Sequence, residues 1–182
     1  MSIWQKRPVA VAAMVLMILV GALAGGHNSL NHLRAVAAAV FTNGAAGDGA
    51  GIDRDLRERG EAAYNMVVVA RKYLPEDHGL IQATLAARQS LDEAATVRHK
   101  AAADKELAAA VADLYQALGA MSLSELDAPY PRRLYTDFQS RGDSISHDPY
   151  NFRASAFNEA LDTFPASLLG GLTGIQPLEL FV

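Results

Sequence analysis

The chain has 182 residues, enough for one domain of ordinary size, and no cysteine, which excludes disulfide staples, thiolate metal sites and cysteine nucleophiles. Beyond residue 7 it carries 14 Lys and Arg against 20 Asp and Glu, and that net charge of −6 argues against nucleic acid as a partner, because such binding rests on neutralised phosphates. Apolar residues make up 51%, much of it alanine, and aromatics only 7%, which predicts an all-α fold of helix packed on helix.

Residues 1–7 form a short basic segment, with Lys6 and Arg7 at its end and Trp4 where an indole suits a membrane–water interface. Residues 8–25 carry no charge, and a run of 18 is near the lower limit for a helix crossing a hydrocarbon core of about 30 Å. A helix buried in a soluble core normally shows a polar stripe. This run has none, so residues 8–26 are read as a transmembrane helix. Ala22-Leu23-Ala24 ahead of Gly25 has the small-x-small form of a signal-peptidase site, which leaves a cleaved, exported soluble protein as an alternative. Leu30, Leu33, Ala37 and Val40 continue at helical spacing past Gly26, with Phe41 beside them, and favour an uncleaved signal anchor running into the body as one long helix. Lys6, Arg7 and the α-amino group outnumber Arg34 on the other flank, so the positive-inside rule puts the N-terminus in the cytoplasm and the body outside it.

Residues 42–51 are glycine-rich and read as a flexible connection; a phosphate-cradling loop would need a Gly-Lys-Ser/Thr ending and a preceding strand. Residues 52–74 predict a helix with Ile52, Leu56, Gly60, Ala63, Val67, Ala70 and Leu74 on one face. The mixed charges Asp53, Arg54, Asp55, Arg57, Glu58, Arg59 and Glu61 suggest a solvated face with i,i+4 pairs. Residues 78–121 predict a long helix, either continuous or broken near His99. Its seams are Leu80, Ala87, Leu91 and Ala94, then Leu107, Val111, Leu114, Leu118 and Met121, the second having coiled-coil or bundle spacing. Residues 122–131 read as a turn. A last helical stretch from about Arg132 to Phe164-Pro165 is split or kinked at Asp148-Pro149, a good helix start. The tail, residues 166–182, is too apolar for a solvated end and is expected to fold back on the bundle or to touch lipid.

Tyr150, Ala154, Phe157, Leu161 and Phe164 step by 4, 3, 4 and 3, and both Tyr150 and Phe157 are followed by asparagine, Asn151 and Asn158. This is either a buried seam whose amides fix register or an amide-lined site for a polar ligand. The pattern Tyr150-Asn151, Phe157-Asn158, Phe164-Pro165, then Leu168-Leu169, Gly174, Pro177 and Phe181, resembles the closing motif of the LemA family of bacterial membrane-anchored helical proteins. Leu56, Arg59, Asn65, Met66, Val67, Tyr73 and Arg88 are similar to that family's first long-helix pattern. The resemblance covers nearly the whole chain. It implies an N-terminal transmembrane helix in a bacterial inner membrane, followed by an antiparallel long-helix bundle over residues 27–165. It supplies no catalytic residue.

The residues themselves offer little chemistry. His27, His32, His78, His99 and His147 form neither a His-Glu-x-x-His motif nor the Glu-x-x-His pairs of di-iron bundles. Asp143 and His147 stand i,i+4 with Asp148 nearby, which is half of a metal site without an identifiable second half, or else a surface pair or cap. Asp92-Glu93 reads as solvated charge, and no Gly-x-Ser-x-Gly elbow supports a hydrolase. Arg132-Arg133 read as surface charges at a helix start or as a contact for phosphate or a lipid headgroup. The expectation is a non-enzymatic scaffold or interaction module without cofactor or metal. It would meet lipid through residues 8–26 and bind an unknown protein or other copies of itself. A ligand- or metal-binding bundle is the alternative.

Overall fold

The computed structural model describes residues 7–182; all of the basic segment but Arg7 lies outside the described residues. Among those described there are seven helices and no strand: α1 (Arg7–Asn43), α2 (Ile52–Ala70), α3 (Gly79–Glu93), α4 (Val97–Gly119), α5 (Pro129–Ser146), α6 (Tyr150–Asp162) and α7 (Ala166–Thr173). The chain forms two compact units. One holds the described residues up to Ala38 together with Ala154–Leu178, the other Ala39–Arg153 with Glu179–Val182.

The larger unit is built around a four-helix bundle, α2 to α5. Short loops join successive helices, so neighbours run antiparallel. Arg59 of α2 reaches the Phe138 carbonyl of α5, whereas the earlier Asp55 meets the later Arg141, as an antiparallel pair requires. α2 is the hub and packs on α3, α4 and α5. Its expected stripe is buried from Ile52 to Ala70, and Ala62, Met66 and Val69 are buried as well, because a hub needs more than one apolar face. α4 contributes Leu107, Val111, Leu114 and Leu118, all fully buried at the predicted spacing. α3 contributes Ile81, Thr84, Ala87 and Leu91; the expected Leu80 and Ala94 are only half-buried.

Residues 78–121 are two helices rather than one. The backbone turns extended at Ala94, and Thr96 starts α4 by accepting a hydrogen bond from the His99 amide at 3.2 Å. α5 starts at Pro129, earlier than expected, since prolines in a first turn lack only an N–H that has no helical partner anyway. Asp148 accepts from the Tyr150 amide at 2.8 Å and opens α6, so the stretch around Pro149 is two helices. The glycine-rich segment is a closed turn rather than a loose tether. The Gly49 amide bonds Asn43 O at 2.9 Å, Gly44, Gly47 and Gly49 have φ of 70–77°, and a Cβ on Gly51 would collide with Phe41 O.

In the smaller unit, α1 begins with Pro8 in its first turn, and no further proline interrupts it. It is long and apolar enough to cross a membrane, and nothing in its most apolar stretch is buried. Large side chains from Val11 to Val20 stand in the open, Met17 at 68% exposure. Further along, Leu30 and Ala37 are buried as the spacing predicts, but Leu33 is exposed. Arg34 takes its turn on the packed side, where its Nε donates to Gln176 O at 2.9 Å. A Cβ on Gly26 would meet Leu169 of α7 at 2.7 Å, and one on Gly170 would meet Leu161 of α6 at 2.7 Å, so both glycines permit close packing.

Candidate functional site: an asparagine clasp and a buried ion network

The aromatic–asparagine pattern grips the end of the chain. Gly174, at φ 72°, ends α7 in the left-handed region, and the chain then leaves the helix. The Asn158 amide donates to Leu178 O at 2.9 Å, and its Oδ1 accepts from the Leu178 amide at 2.7 Å. Asn151 does the same to Phe181, with both bonds at 2.8 Å. A carboxamide has one face with a donor and an acceptor side by side, as a peptide unit has, so each asparagine closes a two-bond ring on one residue's backbone. Seven helical residues rise about 10.5 Å. Three residues cover about 10 Å only when almost fully extended. The heptad spacing of the asparagines therefore suits an extended strap of period three.

Tyr150 adds a third hold. Its hydroxyl donates to Glu179 O at 2.6 Å, and the edge of its ring meets Phe41 at 5.1 Å between centroids. Phe181 lies 6.2 Å from the same Phe41 ring. The Glu179 carboxylate accepts from the Arg98 amide at 3.0 Å, covering an open N–H in the first turn of α4. That bond, with help from the Thr96 hydroxyl and the Arg98 charge, holds the Glu179 carboxyl below its usual pKa against a weaker opposing effect of burial. Of the predicted seam, Tyr150, Ala154, Phe157 and Leu161 are buried, but Phe164 is 82% exposed because α6 stops at Asp162. Pro165 sits at the start of α7. Both amides are engaged by the chain itself, which favours the register-fixing reading over a ligand site.

The second cluster lies on α2. Asp55 and Arg59 are buried, contrary to the solvated face expected for them, because partners arrive from α4 and α5. Arg59 Nε donates to Asp104 at 2.7 Å, its Nη1 to Phe138 O at 3.2 Å, and the guanidinium stands 3.9 Å from the centre of the Phe138 ring. Burial still pushes the Asp104 carboxyl above its usual range, with Arg59 opposing. Arg141 reaches Asp55 at 3.3 Å and Glu58 at 2.6 Å. Asp148 is raised by burial, less so by the nearby Asp55 charge, while the Tyr150 amide opposes. The expected i,i+4 pairs are present as Arg54–Glu58 at 3.7 Å and Arg57–Asp53 at 3.9 Å, and Lys100 also pairs with Asp53. Arg88 pairs with Asp92 at 3.7 Å and lies 5.1 Å from the centre of the Tyr64 ring.

Asn65 is exposed and lines a cleft of about 600 Å³ between α2 and α5, together with Arg54, Arg57, Glu58, Glu61 and Arg141 among others. With Asp137 also in its wall, its cations and anions balance, so it has no preference for an anion such as phosphate. Arg132 and Arg133 are exposed beside the start of α5. His147 ends α5 with Nδ1 2.8 Å from Asp143 O, so the pair meets through a backbone carbonyl rather than as two ligand side chains. His78 starts α3 by accepting from the Leu80 amide, and His27 meets Asn31 at 2.7 Å. Among the described residues no group of three or more potential ligands gathers around a metal position.

Sequence reasoning missed Glu179, Asp104 and Asp127. Asp127 accepts from Lys72 at 2.6 Å, Tyr73 at 2.7 Å and Ser124 at 3.1 Å, and these bonds, Lys72 first, hold its carboxyl below the usual range. Ser124-x-x-Asp127 just before a helix was a usable signal for this anchor. The partners of Asp104 and Glu179 come from 45 and 81 residues away, so no local pattern announces them.

A family model described as LemA family matches residues 49–182, the span that holds both the clasp and the ion network. No curated protein matches the chain.

Proposed function

The chain belongs to the LemA family, and from that premise we propose that it is a membrane-anchored scaffold with no catalytic role, which displays helix faces to a protein partner or to other copies of itself. The observation that carries this is α1: ten consecutive residues from Val11 to Val20 present large apolar groups and alanines with none buried, which water does not tolerate and lipid does. Residues 8–26 then act as an uncleaved signal anchor in a bacterial inner membrane, with the N-terminus in the cytoplasm and the body outside. The carboxylates Asp55, Asp104 and Asp127 are each engaged by a cation of the bundle, and this supports a structural reading over a reactive one. Crosslinking in native membranes, with the full chain as bait, tests it. A reproducible partner or a crosslinked homomer is expected, and turnover of a substrate by the purified chain overturns it. N-terminal sequencing separates the anchor from cleavage after Ala24.

The α2–α5 cleft favours a second reading, a ligand-binding bundle. A small molecule retained by the full chain in native mass spectrometry, and lost when Asn65→Trp fills the cleft, would replace the scaffold with that reading.

A further inference from the structure

We infer that α7 is a second membrane element, lying on the bilayer surface with Phe164, Leu168 and Leu172 set into the interfacial layer. This rests on the anchoring reading of α1. The apolar run of residues 8–25 rises about 27 Å at 1.5 Å per residue, slightly less than a hydrocarbon core of about 30 Å. The core boundary therefore falls at Gly26 and the polar residues after it, His27, Asn28 and Ser29. Leu169 of α7 packs against Gly26, at that boundary. To one side of Leu169 on α7, turned about 100° and about 60° from it, Leu168 and Leu172 are 56% and 65% exposed, and Phe164, just before the helix, is 82% exposed.

Leu168 and Leu172 stand i,i+4 on one face of α7, so both reach the same apolar depth only if the helix lies parallel to the surface, and Phe164 stands just ahead of the Pro165 that starts it. Leu169 and Gly170 are meanwhile held inward, against Gly26 and Leu161. Residues 154–178 contain no Lys or Arg and two acids, Glu159 and Asp162, so attraction to anionic headgroups contributes nothing and the contact is apolar.

The absence of cysteine makes the test direct. Full-length chains with a single Leu168→Cys or Leu172→Cys substitution carry a nitroxide label in phosphatidylcholine vesicles, and collisions with oxygen and with a nickel chelate report depth. Leu16→Cys in α1 and Leu126→Cys, 84% exposed before α5, serve as references. Labels at 168 and 172 are expected at interfacial depth, shallower than 16 and clearly drier than 126, and unchanged when anionic lipid or salt is added. If 16 is in lipid but 168 and 172 are as wet as 126, the inference falls while the anchor stands. Labels closed to both collision partners mean that protein covers the face, and labels as deep as 16 mean full insertion; either overturns the surface placement. If 16 is itself in water, the anchor reading falls and this inference with it.

Discussion

α1 and α2 invert each other's polarity. The first half of α1 leaves Leu16, Met17 and Ile18 more than 60% exposed, while α2 buries Asp55 and Arg59 below 5%. Each is costly in water unless something compensates. For α2 the compensation is internal, in Asp104, Arg141 and the Phe138 carbonyl. For α1 nothing in its most apolar stretch is covered, and on the anchoring reading the compensation is lipid. A helix in the wrong polarity for its surroundings is thus informative in both directions: it names either a partner side chain or a solvent.

The largest effect is expected on the α2 side of this contrast. Arg59→Ala strands a buried carboxylate and is expected to cost about 3–5 kcal/mol, read as a lowered midpoint in chemical denaturation, whereas the double change Arg59→Met with Asp104→Leu is expected to recover most of it. On the α1 side, Leu16→Arg introduces a charge that costs about 3 kcal/mol at a membrane centre. It is expected to shift the full chain from the carbonate-resistant pellet to the supernatant while leaving the helical spectrum of the bundle unchanged. The clasp comes next. Asn158→Ala leaves the Leu178 backbone without two partners and is expected to cost about 1–3 kcal/mol, with hydrogen exchange of the Leu178 amide rising in step.

The smallest effect is that of pH. The Glu179 carboxyl is held below its ordinary value in the fold, so its contribution is present above the unfolded value and lost as pH falls through the folded one. A label on Val182→Cys is expected to become more mobile below the usual carboxylate range. Glu179→Gln is expected to remove that dependence.

What the sequence made legible was whatever is encoded within a turn or two of itself. The unbroken α1, the buried seam of α4, the cap at Asp148 and the two arginine–carboxylate steps at the start of α2 all rest on neighbours within four residues. A break near His99 was open from the sequence, but its place at Ala94 was not, because Ala94 and Ala95 are themselves good helix formers and only Thr96 spoke against continuity. Asp55 and Arg59 read as surface charge because their partners lie on α4 and α5. The asparagines were visible as a pattern, but what they hold was not, since the residues they grip display nothing but main-chain atoms to them. Phe164 followed the heptad in sequence and left it in space when the helix ended two residues earlier.

That clasp is blind to amino-acid identity. All four of its bonds end on peptide groups at Leu178 and Phe181, so it measures length along the strap and reads no letter of it. A slip that brought Pro177 to Asn158 would lose a bond, since proline has no N–H, but a slip the other way would offer both amides equally good partners and would rotate every side chain of the strap to the wrong side. Guarding against that slip falls to the buried Ile175 and Leu178. Spacing is thus set by main-chain atoms and phase by buried side chains, and Leu178 supplies both.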